Sequence, residues 1–213
     1  MLQPLRRVQV AATARKVMRE MQGKTFPYRG QQLPYAIFEE HFTYGNERCI
    51  EVAIGKRFLD THSDVLEIGN VLSRFYPVTH PVVDKYEVAK GVRNEDVLDF
   101  REGHRNILAI STLEHIGLDE PGDGDHTKFL RAVANLKSLA GETLLFTVPW
   151  GYNPSVDAFI RSFTRTSANA MILYYRAGHE WRQGTLEEIA PRTYHSRYWY
   201  ANAIAVVEVS KSC

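Results

Sequence analysis

Small or acidic residues follow where several short apolar runs of this sequence stop, and their chemistry suits a nucleotide-like ligand. Glu67, Gly69 and Asn70 close one run, and Asp84 closes a second. Asp96 and Val97 follow a turn at Asn94, and Ser111 opens a stretch that leads through Glu114 to His115. Gly69 lets the backbone pass close to a ligand because no side chain intervenes. Asp84 lies 17 residues beyond Glu67, near the roughly 20-residue gap at which an acid at a second strand end meets ribose hydroxyls. One carboxylate can accept from both hydroxyls. Asp96 could accept from an exocyclic adenine amine, with Val97 and Leu98 flanking the ring, although Asn94 to Asp96 also reads as an ordinary turn or cap. Glu67 either holds a ligand's amino group, directly or through water, or ties down the loop backbone.

Two residues could move a proton. A neutral His115 imidazole could take it from an attacking hydroxyl or amine. Glu114 is the alternative base, or a partner that orients His115. The plain alternative is a histidine that bonds its own loop. Asp119, Asp123, Asp125 and His126 carry hard ligands for Mg²⁺ or Ca²⁺, but the spacing is not that of a dedicated calcium loop, so a solvated loop ending in a cap is the preferred reading and no metal is assigned. Tyr86 and Lys90 match the Tyr-x-x-x-Lys pair of short-chain dehydrogenases in the wrong place, which makes the match a coincidence.

These residues need a scaffold that gathers strand ends. Ile50, Ile54 and Phe58 recur at helical spacing over residues 46–60. Apolar runs at residues 64–68, 81–83, 106–110 and 143–148, with a shorter one near 93–98, are continuous rather than alternating, as in parallel strands buried on both faces. Between the last two long runs, Phe129, Val133, Leu136 and Leu139 line one face of a helix with Asp125 as N-cap and Gly141 as its stop. Strand, helix, strand at this spacing means right-handed crossovers in a doubly wound α/β sheet. Ligands then bind beyond the strands' carboxyl ends, where the strand order reverses. Residues 155–163 read as a helix. Residues 170–175 and 203–209 read as two late strands, an antiparallel pair at one sheet edge. Trp150 and Tyr152 follow the fifth run on the ligand side, where an aromatic ring could cover an acceptor.

The flanks are less specific. Residues 1–24 hold Arg6, Arg7, Arg15, Lys16, Arg19 and Lys24 against one acid, Glu20. That suits a transit peptide or an anion-facing helix; the plainer reading is a solvated helix that packs Val10, Val17 and Met21 on the body. Residues 22–45, rich in Gly, Pro and Tyr, read as an irregular arm, so the chain divides into an arm at 1–45 and a domain at 46–213. Beyond residue 155, six arginines interleave with Trp181, Tyr194, Tyr198 and Trp199. The mixture suits a sugar, a phosphorylated acceptor or a protein surface, or else a half-buried edge whose arginines face water. Lys and Arg number 26 against 25 Asp and Glu, which excludes a chain-wide nucleic-acid-binding balance. Cys49 and Cys213 are too few for a disulfide framework, so the cytoplasm is the expected compartment. No stretch approaches the roughly 18 apolar residues of a membrane span.

Taken together, the ordered strand-end motifs resemble those of class I S-adenosylmethionine-dependent methyltransferases. Glu67-Ile-Gly69 is similar to the first acidic-glycine motif, Val82-Val83-Asp84 to the acidic end of the second strand, and Glu95-Asp96-Val97 to the adenine loop. Ser111 to Ile116 is similar to the signature after the fourth strand, and Gly141 to Leu145 to a glycine-led fifth strand. The resemblance covers residues 46–154 and, more loosely, the two late strands. It implies a seven-stranded, mostly parallel sheet with a reversed last strand. It implies S-adenosyl-L-methionine as cofactor, held by Glu67, Gly69, Asn70, Asp84, Asp96, Val97, Ser111 and Leu113. The implied acceptor is a small molecule, a glycosyl unit first, methylated at O or N, with no nucleic acid partner. Val71 and Ser73 stand where the family usually has two further glycines, which makes the loop bulkier. A nicotinamide-dependent oxidoreductase or epimerase shares the acidic second strand but needs a Gly-x-Gly-x-x-Gly loop that residues 69–74 lack. A non-catalytic cofactor-binding module of the same fold is the third alternative.

Overall fold

The computed structural model describes residues 13–39, 41–120, 124–125, 127–166 and 169–211. Its main sheet has eight strands: β3 (Val65–Ile68), β4 (Val82–Val83), β5 (Val92–Arg93), β6 (His104–Ile110), β7 (Ala140–Pro149), β8 (Asn169–Ala177), β9 (Glu180–Gly184) and β10 (Ala203–Ser210). Their order is β5-β4-β3-β6-β7-β10-β8-β9. The first five run parallel, and β10 is antiparallel to both β7 and β8. This is the doubly wound, mostly parallel sheet with a reversed late strand that the sequence predicts, extended by β9 as an eighth, antiparallel edge strand. The two late strands do pair, but not at an edge. β10 lies inside the sheet, where its run of buried alanines and valines has a neighbour on each side.

Continuous burial along the strands puts a core on each face of the sheet. One core gathers Leu66, Ile68, Ile107, Phe146 and Val148 under α3 (Lys128–Leu139) and α4 (Pro154–Ser162), with Ile189 of the short α5 (Leu186–Ile189). The opposite core gathers Val65, Leu108, Ile110, Leu145 and Val206 under α2 (Arg48–Thr61) and α1 (residues 13–21), whose Val17 and Met21 are buried. The rest of the basic N-terminus, Val10 included, lies outside the described residues, as do Asp123, His126 and Cys213. No described helix is long and apolar enough to cross a membrane.

Two helix boundaries differ from expectation. The N-cap of α3 is Thr127, while Asp125 accepts from the Thr127 amide at 2.9 Å in the turn before it. α3 ends at Leu139 because Ala140 already turns extended, so Gly141 falls inside β7.

The segment read as an irregular arm contains a hairpin, β1 (Thr25–Tyr28) and β2 (Gln31–Pro34). Arg29 and Gly30 form its two-residue turn with φ of 51° and 75°, the hand that matches the twist of the flanking strands. Burial alternates so that Phe26 and Tyr28 face inward. Phe26 packs 5.1 Å from the Tyr35 ring and 6.0 Å from that of Tyr174, whose hydroxyl donates to the Pro27 carbonyl at 2.7 Å. Arg29 grips both carboxylate oxygens of Glu208 on β10 at 2.8 and 2.6 Å. The hairpin is thus bound to the sheet, and Phe26→Ala should lower unfolding free energy by about 3–5 kcal/mol in urea titration. A loss under about 1 kcal/mol would show that the hairpin is peripheral to stability.

Candidate active site

The strand order reverses between β3 and β6, because the chain leaves β3 towards β4 and β5 and returns to add β6 on the other side. Such a point opens a crevice beyond the strand ends. A cleft of about 660 Å³ lies there, lined by Gly69 after β3, Asp84 after β4, Asp96 and Val97 after β5, and Thr112 and His115 after β6. A second cleft of about 480 Å³ adjoins it and shares Gly69, Arg74, Asp84, Glu87, Thr112 and His115. The two are halves of one groove.

Gly69 has φ of +82°, and a Cβ there would meet the Thr112 side chain at 2.1 Å. The β3 and β6 loops therefore touch, and only glycine fits the contact. Asp84 faces both halves. Its Oδ1 accepts from the Tyr86 and Glu87 amides, each at 2.8 Å, while its Oδ2 has a single long contact at 3.4 Å from the Asn70 amide. Asn70 also donates to Glu87 at 2.8 Å and lines the second half. Val97, Ile68, Val83 and Ile116 give the first half its apolar walls. Asp96 lines that half, with Oδ1 taking the Leu98 amide at 2.9 Å and Oδ2 paired to Lys85 at 2.8 Å. Burial pushes the Asp96 carboxyl up, but Lys85 and the Leu98 amide outweigh it and leave it below the usual carboxylate range.

Two predicted residues are absent from the groove walls. Glu67 is fully buried. Its Oε1 accepts from the Val71 and Leu72 amides at 3.0 and 2.8 Å, and its Oε2 meets His80 Nε2 at 2.7 Å. That geometry is the loop-tying role rather than the one facing an amino group. Leu113 is fully buried in the core beneath the sheet end.

Ser111 lines the second half with a φ of +36°, a strained value for a residue with a side chain. Its hydroxyl donates to Glu51 Oε1 at 2.5 Å, and its amide donates to Thr147 Oγ1 at 3.0 Å. Glu51 is a fully buried carboxyl on α2 that also takes the Thr147 hydroxyl at 2.8 Å and Arg48 at 3.2 Å. Glu47, one turn earlier, is buried and takes the Ala201 amide at 3.2 Å. Burial, with the Glu51 charge behind it, pushes Glu47 up to about 7. Glu114 is 2% exposed, and its Oε2 has no hydrogen-bond partner among the described residues. Burial pushes its carboxyl well above the carboxylate range, and Glu51 and Glu47 add to the shift while Arg48 opposes it.

His115 stands at the seam of the two halves. Its Nδ1 contacts the Asp119 carboxylate and lies 3.2 Å from the Tyr152 hydroxyl, which itself donates to Asp119 at 2.5 Å. Nε2 is left towards Glu114, 3.8 Å from its Oε1. The partners that orient His115 are thus Asp119 and Tyr152. Asp119 serves the histidine, and Asp125 pairs with Arg131. Trp150, which the sequence offers as a cover for an acceptor, is buried in the core beside Arg161, so Tyr152 is the ring that reaches the groove. Tyr194 packs edge-on against it at 4.9 Å, and Tyr200 completes that wall. The tail arginines divide: Arg176 is buried and donates to the Gly45 carbonyl at 2.6 Å.

Sequence reasoning did not single out Glu47, Arg48, Glu51 or Thr112. The available signal was two acids at i and i+4 on a helix otherwise rich in apolar residues.

No family model matches this sequence, and no curated protein does. Among solved structures, a magnesium protoporphyrin IX methyltransferase from Synechocystis PCC 6803 with bound SAM is 11% identical, with 92% of this chain and 91% of that one covered and a TM-score of 0.42. An N-methyltransferase from Bradyrhizobium japonicum WM9 in complex with S-adenosyl-L-homocysteine is 14% identical, over 94% and 99%, at 0.43. An rRNA methylase from Streptococcus thermophilus is 10% identical, over 76% and 97%, at 0.44. Likenesses this faint carry no argument about activity; the fold rests on strand order and register.

Gly69→Ala should lose more than the about 1–2 kcal/mol of a left-handed backbone alone, because the added methyl group strikes Thr112. Thr112→Ala in the same chain should recover part of the loss in a double-mutant cycle by urea denaturation. Strict additivity would mean that the two loops do not touch.

Proposed function

We propose that this chain is a methyltransferase that uses S-adenosyl-L-methionine and acts on a small-molecule acceptor at O or N. The observation that carries the reading is one groove at the switch point whose wall presents the Asp84 carboxylate beside a glycine of forced close approach. The residues fit the cofactor. Asp84 keeps lone pairs on Oδ2 for two ribose hydroxyls. Val97, Ile68, Val83 and Ile116 suit the faces of a purine. Asp96 suits its exocyclic amine, and Gly69 and Asn70 the chain beyond the ribose. Glu67 and Leu113 act beneath, shaping the loops.

Bound there, S-adenosyl-L-methionine supplies an electrophilic methyl group on a positive sulfonium. The protein's own work is to align an acceptor, exclude water and take a proton. His115 has the chemistry for the last step. Asp119 on Nδ1 favours the tautomer that leaves Nε2 free to accept. The second half, about 480 Å³, suits a small acceptor of the size such pockets usually enclose.

The reading predicts that S-adenosyl-L-homocysteine binds in calorimetric titration and NAD does not. Asp84→Ala should weaken that binding at least about tenfold, by loss of charge-assisted hydrogen bonds each worth roughly 1.5–3 kcal/mol. Asp84→Asn should fall between the two. Unchanged affinity in a folded Asp84→Ala protein, or a clear signal with NAD, would refute the assignment.

A further inference from the structure

The second half of the groove has an unusual floor. Glu47 and Glu114 are both buried there, with Glu51 directly beneath, and Arg48 is the cation among them. An acidic cluster alone proves nothing, since carboxyls can satisfy one another. Here one of them is unsatisfied. Glu114 Oε2 is sealed from solvent, lacks any partner among the described residues, and belongs to a side chain that lines the groove. A buried carboxyl oxygen without a partner is costly, and the cost is relieved when the side chain turns that oxygen to a donor in the groove. The walls favour a particular donor. Tyr152, Tyr194 and Tyr200 present aromatic rings, which attract cations over their faces.

We propose that this half of the groove takes a basic amine, held by its nitrogen against the Glu114 carboxyl. That the amine is the methyl acceptor rests on the reading above; that it binds there does not. Neutral hydroxyl compounds satisfy Oε2 equally as donors but gain nothing from the acids and rings around it.

The proton balance follows from the groups that face Glu114. From α2 and its N-cap these are Glu47, Arg48 and Glu51; beside it is His115; across the groove are Tyr152 and Tyr194. Burial, with Glu51 and Glu47 behind it, pushes the Glu114 carboxyl well above the usual carboxylate range in the free protein. A free aliphatic amine carries its proton at neutral pH, with a pKa of about 10. Once they meet, one proton suffices for the pair, as carboxylate with ammonium or as acid with amine. Keeping both protons would leave the cation facing a neutral carboxyl. Wherever both partners enter protonated, binding therefore releases a proton to solvent, whichever partner keeps the other.

The test titrates benzylamine and benzyl alcohol, isosteric probes, into the full chain by calorimetry at about pH 7. Phosphate and HEPES buffers, which differ in ionisation enthalpy, count the protons released. Benzylamine should bind at least about tenfold tighter than benzyl alcohol, with net proton release. Benzyl alcohol should release none. Glu114→Gln, checked for folding by circular dichroism, should cut the release and erase most of the preference. Equal affinities, no measurable amine binding at millimolar concentration, or a release undiminished by Glu114→Gln would overturn the proposal. The homocysteine titration separates the two readings. Cofactor binding without amine preference defeats only the amine site. Amine binding with proton release but no cofactor binding leaves the site standing and defeats methyl transfer.

Discussion

The groove exists because the Glu67 carboxylate is spent on the backbone. A buried polar group is tolerable only when it is bonded, and Glu67 is bonded at both oxygens, to the Val71 and Leu72 amides and to His80. These contacts fold the chain down directly after Gly69, into the short 3-10 turn at Leu72–Arg74, instead of letting it run on across the strand ends. The space above β3 and β6 stays open as a result. The same interaction explains how the loop accommodates Val71 and Ser73 in place of glycines. The Val71 amide is fixed by Glu67, and the Ser73 hydroxyl turns back to Asn70. Bulk is accommodated because the loop descends.

Much of this could be read from the sequence, and for a local reason. Strand ends are marked by a change of residue type within two or three positions, so Gly69, Asp84, Asp96, Ser111 and His115 stand out in the chain and converge on the groove once the strands are parallel. The strand β10 is legible as an element, but its place is not. A run of alanines and valines records burial on both faces and says nothing about which strands flank it. The hairpin at residues 25–34 escapes because its inward residues number only Phe26 and Tyr28, with Pro27 between them. The acid floor escapes for another reason. Glu47 caps α2 and Glu51 lies one turn on, the ordinary spacing of a solvated helix face. Only the fold brings Ser111, Thr147 and Ala201 down upon them from positions 60 or more residues away.

The two halves of the groove are electrically unlike. The first pairs its acids: Lys85 bridges Asp96 and Glu120 across the opening, at 2.8 and 2.6 Å. The second adds the buried carboxyls of Glu47 and Glu114, with Arg48 as the cation beside them. His115 and Thr112 stand between them, and His115 is held by groups of the exposed rim rather than of the floor. The Nδ1 side of the histidine therefore faces the exposed rim, and its Nε2 side faces Glu114.

The position of β10 bears on how the molecule comes into being. Ribosomes deliver β7 and β8 well before the strand that joins them, so for that interval both carry an unpaired edge of strongly apolar residues. Such edges are prone to stray pairing. The hairpin emerges before every strand of the main sheet, and its Arg29 waits for Glu208 on β10 to arrive. The sheet closes late, like a zip whose slider is made after both rows of teeth, and nascent chains are most exposed to aggregation or chaperone capture just before that closure.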